Sequence, residues 1–375
     1  MNKKLLALAV TSALAGVSAG VNADTANVNV YGKFFIQAQT VSGKGATTPG
    51  EDIVSRQEIN DPNSYIGFKG EDNLGGGLKG WFQVEQTIQA DDAGAAATPA
   101  ATKALPTDGN FGTRNSAVGL SGGFGNVFLG RWDTVYKQLG DPVSFLGISA
   151  GNIVSTSNVL SKPAQDVSGS SFHLRRSNYI EYDTPSFGGL TVMAGYSPDE
   201  ARTGSKSGYL RSVGVKFEQG PLYVAFANEL HKDSIATNSK DVGTRLSAKY
   251  ALPTGTTLGI DVANIEYKTG GLAADSEAKH KAVSLVVTQA LGNITLAGGV
   301  VIADKASLNG SDVADTEGQQ LNLGVGYNLS KRTQVYAIYS KLTNKDDAAF
   351  NNLIQGDVND GVDPEQIAVG IAVTF

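Results

Sequence analysis

The chain has 375 residues, a formal net charge of −6, no cysteine and three histidines. A chain without cysteine takes its stability from backbone pairing and packing rather than disulfides, and the mild acid excess gives no reason to expect nucleic acid as a partner. Hydrophobic residues make up 41%, but beyond residue 23 they scatter at alternate positions instead of forming the ~20-residue run of a membrane helix.

The first segment stands apart. Lys3 and Lys4 precede the apolar run Leu5 to Val17, and Val21-Asn22-Ala23 offers small residues for cleavage. Residues 1–23 therefore read as a secretory signal peptide, and 24–375 as one domain without a linker. From Asn27, V-N-V-Y-G-K-F-F-I-Q-A-Q sets Val28, Val30, Phe34 and Ile36 on one face of a strand, with Tyr31, Lys33, Phe35 and Gln37 on the other. A second strand carries Ile66 and Phe68 against Tyr65, Gly67 and Lys69. The turn Asn73–Gly77 leads to a third, with Phe82, Val84 and Ile88 opposed to Lys79, Trp81, Gln83 and Glu85.

The unit then recurs as strand, short turn, strand, long polar loop. Short turns fall at 122–125, 184–189, 219–221, 253–255, 291–293 and 330–332. Long loops lie near 90–112, 132–174, 197–207, 231–242, 268–279, 304–318 and 343–364. The last strand, E-Q-I-A-V-G-I-A-V-T-F, puts Ile367, Val369, Ile371, Val373 and Phe375 on one face. Left bare, it would be an aggregation-prone edge; pairing with the first strand closes a barrel. The fold class is thus all-β, a transmembrane antiparallel β-barrel of about sixteen strands, with short turns on one rim and long loops on the other. A soluble two-sheet sandwich would show the same alternation. Strand number, leader and rim asymmetry favour the barrel.

The chain resembles the general porins of Gram-negative outer membranes. The resemblance rests on Val30-Tyr31-Gly32-Lys33, Ile66-Gly67-Phe68-Lys69-Gly70-Glu71, Gly122-Gly123-Phe124-Gly125-Asn126-Val127, Gly130-Arg131, Arg175-Arg176-Ser177-Asn178-Tyr179 and Val373-Thr374-Phe375. It implies a homotrimeric pore for passive diffusion of ions and small hydrophilic solutes, with the third long loop, 132–174, folded inward as a constriction. It also implies contact with outer-membrane lipid and lipopolysaccharide, and recognition of Phe375 by the outer-membrane assembly machinery. One departure stands out: the loop tip here reads Asp141-Pro142-Val143-Ser144-Phe145-Leu146-Gly147-Ile148-Ser149, with Asp141 its only charge.

Strand parity sorts the charges. Lys33, Lys69, Lys79, Glu85, Arg175, Lys216, Arg245, Lys249 and Asp261 should face the lumen, Arg175 sharing its face with Ser177, Tyr179, Glu181 and Asp183. The parity of Arg114 is ambiguous, and the resemblance places it in the lumen. A basic wall of Lys33, Arg114 and Arg175 facing Asp141 and Asp166 would set a transverse field across the narrowest point and lean selectivity towards anions. A solvated wall without selectivity is the plainer alternative. Arg131 shares parity with Val127 and Leu129 and points outward, where a charge is costly in lipid. Small residues on the preceding strand suit a subunit interface there, with Asp91 or Asp92 of a neighbour as partner.

Enzyme signatures are poor. His173, His231 and His280 have no neighbour at metal-ligand spacing, and neither G-x-S-x-G nor a phosphate loop occurs. Asp346-Asp347 and Asp357–Asp363 lack the ligand spacing of a calcium loop. No metal or cofactor is expected. The inward aromatics Tyr31, Phe35, Tyr65 and Trp81 keep an oligosaccharide-specific channel as an alternative. An outer-membrane hydrolase or structural anchor is a further one.

Overall fold

In the computed structural model the described residues are 27–375, apart from 89, 92–110, 145–147, 149–150, 163–170, 199, 201–207, 234–237, 269–275 and 355. The leader expected at 1–23, Asp92 and Asp166 lie outside them. The strands are β1 (Asn27–Lys44), β2 (Ile53–Asn60), β3 (Tyr65–Gly75), β4 (Leu78–Thr87), β5 (Ser116–Gly122), β6 (Gly125–Asp133), β7 (Arg175–Asp183), β8 (Leu190–Pro198), β9 (Tyr209–Gln219) and β10 (Leu222–Lys232). They continue with β11 (Lys240–Ala251), β12 (Thr256–Lys268), β13 (Glu277–Leu291), β14 (Ile294–Ala303), β15 (Ser307–Leu308), β16 (Ser311–Asp312), β17 (Gly318–Asn328), β18 (Thr333–Asn344) and β19 (Asp363–Thr374).

All pairings are antiparallel, and β19 returns to β1 in register from Lys33↔Thr374 to Lys44↔Asp363. That closure removes the edge. β2 and β3 are one wall strand broken in two, since β2 pairs with the upper half of β1 and β3 with its lower half. The break is made by Asp61, whose carboxylate accepts the Asn63 and Ser64 N–H groups and turns the backbone out of the ladder. β15 and β16 form a small hairpin within a long loop. The barrel therefore has sixteen wall strands.

The two faces differ as lipid and lumen require. Leu246, Ile260, Leu285, Leu323 and Ile371 are exposed on the outside, whereas Gln320, Asn322, Ser340 and Gln366 on the inside are buried. Their burial comes from chain folded against the inner wall. Helix α1 (Val135–Ser144), a 3₁₀ turn at Gly151–Val154 and helix α2 (Ser157–Leu160) belong to the long segment between β6 and β7. Val135, Tyr136, Leu139 and Val143 of α1 form one apolar cluster with Tyr223, Ala225, Ala227 and Ile265 of the wall. Further on, Gln320 Nε2 and Ser340 Oγ donate to the Ile153 carbonyl at 2.9 and 3.2 Å, so the segment is pinned across several strands.

The C-terminus is seated on β1. Phe375 N donates to Gly32 O, and Gly32 N to Phe375 O, each at 3.1 Å, while its ring stacks on Phe34 with centroids 5.8 Å apart. Gly32 is required here, because a Cβ would lie 2.6 Å from the Phe375 ring.

Candidate functional site

The inner wall of β1, β3 and β4 brings a row of cations together. Lys33 stands directly across from Tyr65 in the β1–β3 register. The Arg114 guanidinium lies over the Tyr65 ring at 4.7 Å, bonds Asn63 Oδ1, and is 3.6 Å from Glu85. The neighbouring Asn115 accepts a hydrogen bond from Arg175, which also pairs with Asp133 at 3.1 Å. Lys33, Arg114 and Arg175 thus follow one another along one side of the lumen. Glu85 and Asp133, at the roots of the row, neutralise two of the three.

Alternation through β7 does not carry as far as the sequence suggests. Asn178 has φ +54°, and this left-handed residue resets the strand above Tyr179. Ser177 consequently joins the exposed Arg131 at 3.2 Å instead of sharing a face with buried Tyr179 and Glu181. Arg175 reaches the inner segment's root through Asp133, a residue that strand parity did not single out.

Apart from Arg114 and Arg175, the lumen cations expected from the sequence divide into three kinds. Lys79 and Lys216, near the short-turn rim, pair with Glu71 at 2.8 Å and Glu218 at 3.3 Å. Arg245 does not line open channel: it is 1% exposed beneath α1 and locked to Asp261 by a bidentate contact, with Ser247 Oγ donating to the same carboxylate. A Cβ on Gly140 would overlap its guanidinium, which is why α1 carries a glycine at that turn. The third kind is Lys33, Lys69 and Lys249. None of them meets a carboxylate among the described residues, and each packs over an aromatic ring. Lys33 Nζ is 4.4 Å from the Phe35 centroid, Lys69 4.9 Å from Tyr31, and Lys249 5.7 Å from Tyr223. A ring steadies an ammonium without cancelling its charge. Among the described residues no carboxylate cancels the charge of these three lysines.

The same contacts engage the four inward aromatics that the sequence singled out. Phe35 is 3% exposed, and the rings of Tyr31 and Tyr65 are covered by Lys69 and Arg114. Trp81 turns its indole N–H to Asn126 and packs in a cluster with Phe128 and Trp132.

Asp141 lies on α1, with His173 at 3.8 Å as its nearest ionisable contact. Burial, with the cations Lys137 and Arg245 beyond it, holds His173 well below the usual imidazole range, so the imidazole is neutral and the pair carries one charge at most. Burial pushes Asp141 up from 3.8 to about 6, against the pull of Lys137. Its side chain keeps 31% of its surface, so it titrates with the lumen water. Packing of α1 favours the protonated acid; that contribution is complete below pH 3.8 and gone once pH rises past about 6. Anion preference is therefore expected to strengthen as pH falls from 7 to 5, a change that Asp141→Asn abolishes. Reversal potentials at the two pH values measure it.

Arg131 is exposed on the outer face beside Leu129, with Ser177 as its hydrogen-bond partner within the chain. Asp91, one of its suggested partners, accepts the Asp61 N–H at 3.0 Å and so braces the β2–β3 break of its own barrel. Among the described residues no group of histidines and acids is arranged to hold a metal.

Comparison with known proteins agrees with this geometry. A family model described as Gram-negative porin matches residues 7–347. The outer membrane porin protein 32 of Delftia acidovorans is 29% identical, over 100% of this chain and 98% of its own. The major outer membrane protein P.IB of Neisseria meningitidis serogroup B is 28% identical, over 89% and 91%. Among solved structures, the anion-selective porin from Comamonas acidovorans superposes with a TM-score of 0.74 at 26% identity, covering 93% of this chain and 100% of that one. The trimer form of OmpT from Vibrio cholerae, at 16% identity and a TM-score of 0.61, shares the fold.

Proposed function

The chain belongs to the Gram-negative porin family and forms a passive outer-membrane channel for small hydrophilic solutes, and from that premise we propose a modest preference for anions. The observation that carries this reading is the set of three lumen lysines, Lys33, Lys69 and Lys249, held by aromatic rings and left without carboxylates. The inner segment between β6 and β7 narrows the path, and Lys33, Arg114 and Arg175 line it with Asp141 on that segment; Asp166 lies outside the described residues. Lys79, Lys216 and Arg245 contribute little field, because each is paired. The anion-selective porin that this chain superposes on supports the sign. The chain is a channel and carries out no catalysis; it needs no cofactor.

Planar-bilayer reconstitution tests the channel itself. Stepwise ohmic conductance is expected. Block by micromolar sugar would instead support the oligosaccharide-specific alternative, and absence of conductance would overturn both.

Residues 1–23 act as the leader that exports the chain. Phe375 serves as the assembly signal, and its seat on Gly32 and Phe34 makes the same ring part of barrel closure. The functional unit is a homotrimer. Arg131 contributes to its interface, where an outward charge among small residues suits a facing subunit better than lipid tails. Arg131→Glu is expected to weaken the trimer band in electrophoresis without boiling. Wild-type protein running only as monomer after mild extraction would contradict the assignment.

A further inference from the structure

We propose that the inner face of β3 and β4 carries a binding ledge for small aromatic carboxylates, a solute class within the anion-preferring channel described above and dependent on that reading. The ledge starts from Trp81. Gly119 stands directly opposite it in the β4–β5 register, and a Cβ there would lie 2.6 to 2.7 Å from the indole atoms Cε2, Cζ2 and Nε1. Only glycine lets the ring lie down over the neighbouring strand, with one indole face to the wall and the other to the lumen.

Two further contacts fix the ring in that pose. Its N–H donates to Asn126 Oδ1 at 2.8 Å, and Phe128 and Trp132 brace it with planes 57° and 64° away from its own. Neither ring lies flat upon it, and Trp81 is only half-buried. An indole face held in this way can stack a second ring without rearranging.

The cation is one diagonal step away. Lys69 stands opposite Gln83, two residues from Trp81 along β4. Such diagonal neighbours on one face of a sheet lie about 7–8 Å apart, within reach of a long side chain. Asn29, Lys69, Trp81 and Gln83 line a common hollow of about 260 Å³. Lys69 is exposed and rests over the Tyr31 ring at 4.9 Å, with no carboxylate partner among the described residues. Glu71, the acid in the lining, is held by Lys79 at 2.8 Å. The hollow therefore joins an uncancelled ammonium to an aromatic face.

This pairing selects on two properties at once. An aliphatic anion meets Lys69 but gains nothing from the indole, and a neutral ring meets the indole without the charge. A carboxylate carried on a ring satisfies both, its oxygens accepting from the ammonium while its ring stacks. Lys69 and Trp81 lie nearer the short β3–β4 turn than Tyr65 and Glu85 do, so the ledge receives anions that have passed Lys33 and Arg114.

Trp81 and Trp132 are the only tryptophans in the chain, so the intrinsic fluorescence of the folded full-length protein in detergent reports on the ledge directly. The probes are benzoate, acetate, which lacks the ring, and benzamide, which lacks the charge. Benzoate is expected to quench the emission saturably and to reduce chloride current through reconstituted channels over the same concentration range. Acetate and benzamide should do neither. Trp81→Leu and Lys69→Gln are each expected to weaken benzoate binding about fivefold, the worth of one aromatic pair or one exposed ion pair. Lys69→Gln leaves both indoles in place, so the fluorescence readout survives should Trp81→Leu fail to fold. Equal quenching by acetate or benzamide, or benzoate binding unchanged in Lys69→Gln, would overturn the proposal. A channel that conducts while benzoate moves neither signal would overturn it alone. Absence of conductance in the wild type would overturn the channel reading, and the ledge's role as a solute site with it.

Discussion

Asp261→Ala is expected to loosen the inner segment by about 3–5 kcal/mol, because it strips the carboxylate from a guanidinium that stays buried. Arg245 Nε is 2.9 Å from both Asp261 oxygens, Arg245 is 1% exposed, and Asp261 is fully buried. The pair sits under Gly140 and beside Tyr136, so α1 closes over the charge. With the acid gone, the guanidinium regains solvent only if α1 lifts. The strands themselves remain paired, so the barrel should survive while the segment fluctuates. Single-channel records should show larger mean current with added noise, and protease added from the long-loop side should cut within 135–162. Ser247→Ala, which removes one hydrogen bond to the same carboxylate, should cost about 1 kcal/mol and leave the trace quiet. A silent, wild-type trace from Asp261→Ala would show that α1 is held by its apolar face alone.

Reversing charge in the lumen row gives the second large effect. Lys33→Glu alters the local charge by two units at a point with no carboxylate to rearrange, and the Phe35 ring that steadied the ammonium has nothing to offer a carboxylate. Anion preference should disappear, and addition of Arg175→Glu should turn the channel cation-selective. Arg175→Glu alone is the less clean variant, since it sets a carboxylate against Asp133, which then keeps Lys137 at 2.8 Å as its cation and the Asn115 amide at 2.9 Å. Lys79→Glu and Arg245→Met should move selectivity far less than Lys33→Glu. That ordering separates field from mere charge count.

Much of the wall was legible because a membrane barrel has a strict period: lipid on one side and water on the other force every second residue into the same class. The broken strand at Asp61–Ser64 was not legible, since it depends on side-chain capping of a few amides rather than on hydropathy. Helix α1 left a readable trace in Val135, Tyr136, Leu139 and Val143, which fall on one helical face; Gly140 and Pro142 masked it. Two of the three lysine–ring contacts, Lys69 over Tyr31 and Lys249 over Tyr223, join separate strands and needed the register to appear. Lys33 and Phe35, two apart on one strand, could have been seen. Parity gave Arg245 an inward direction but could not show the helix lying over it, and it failed beyond Asn178 because one left-handed residue resets the alternation.

The central claim is that rings hold the lumen lysines in place while leaving their charge uncancelled. The most direct test is the zero-current potential of wild-type channels in a planar bilayer under a potassium chloride gradient. A potential of the sign given by faster chloride, abolished in Lys33→Glu, is the predicted result. A strong potassium preference in the wild type would contradict it.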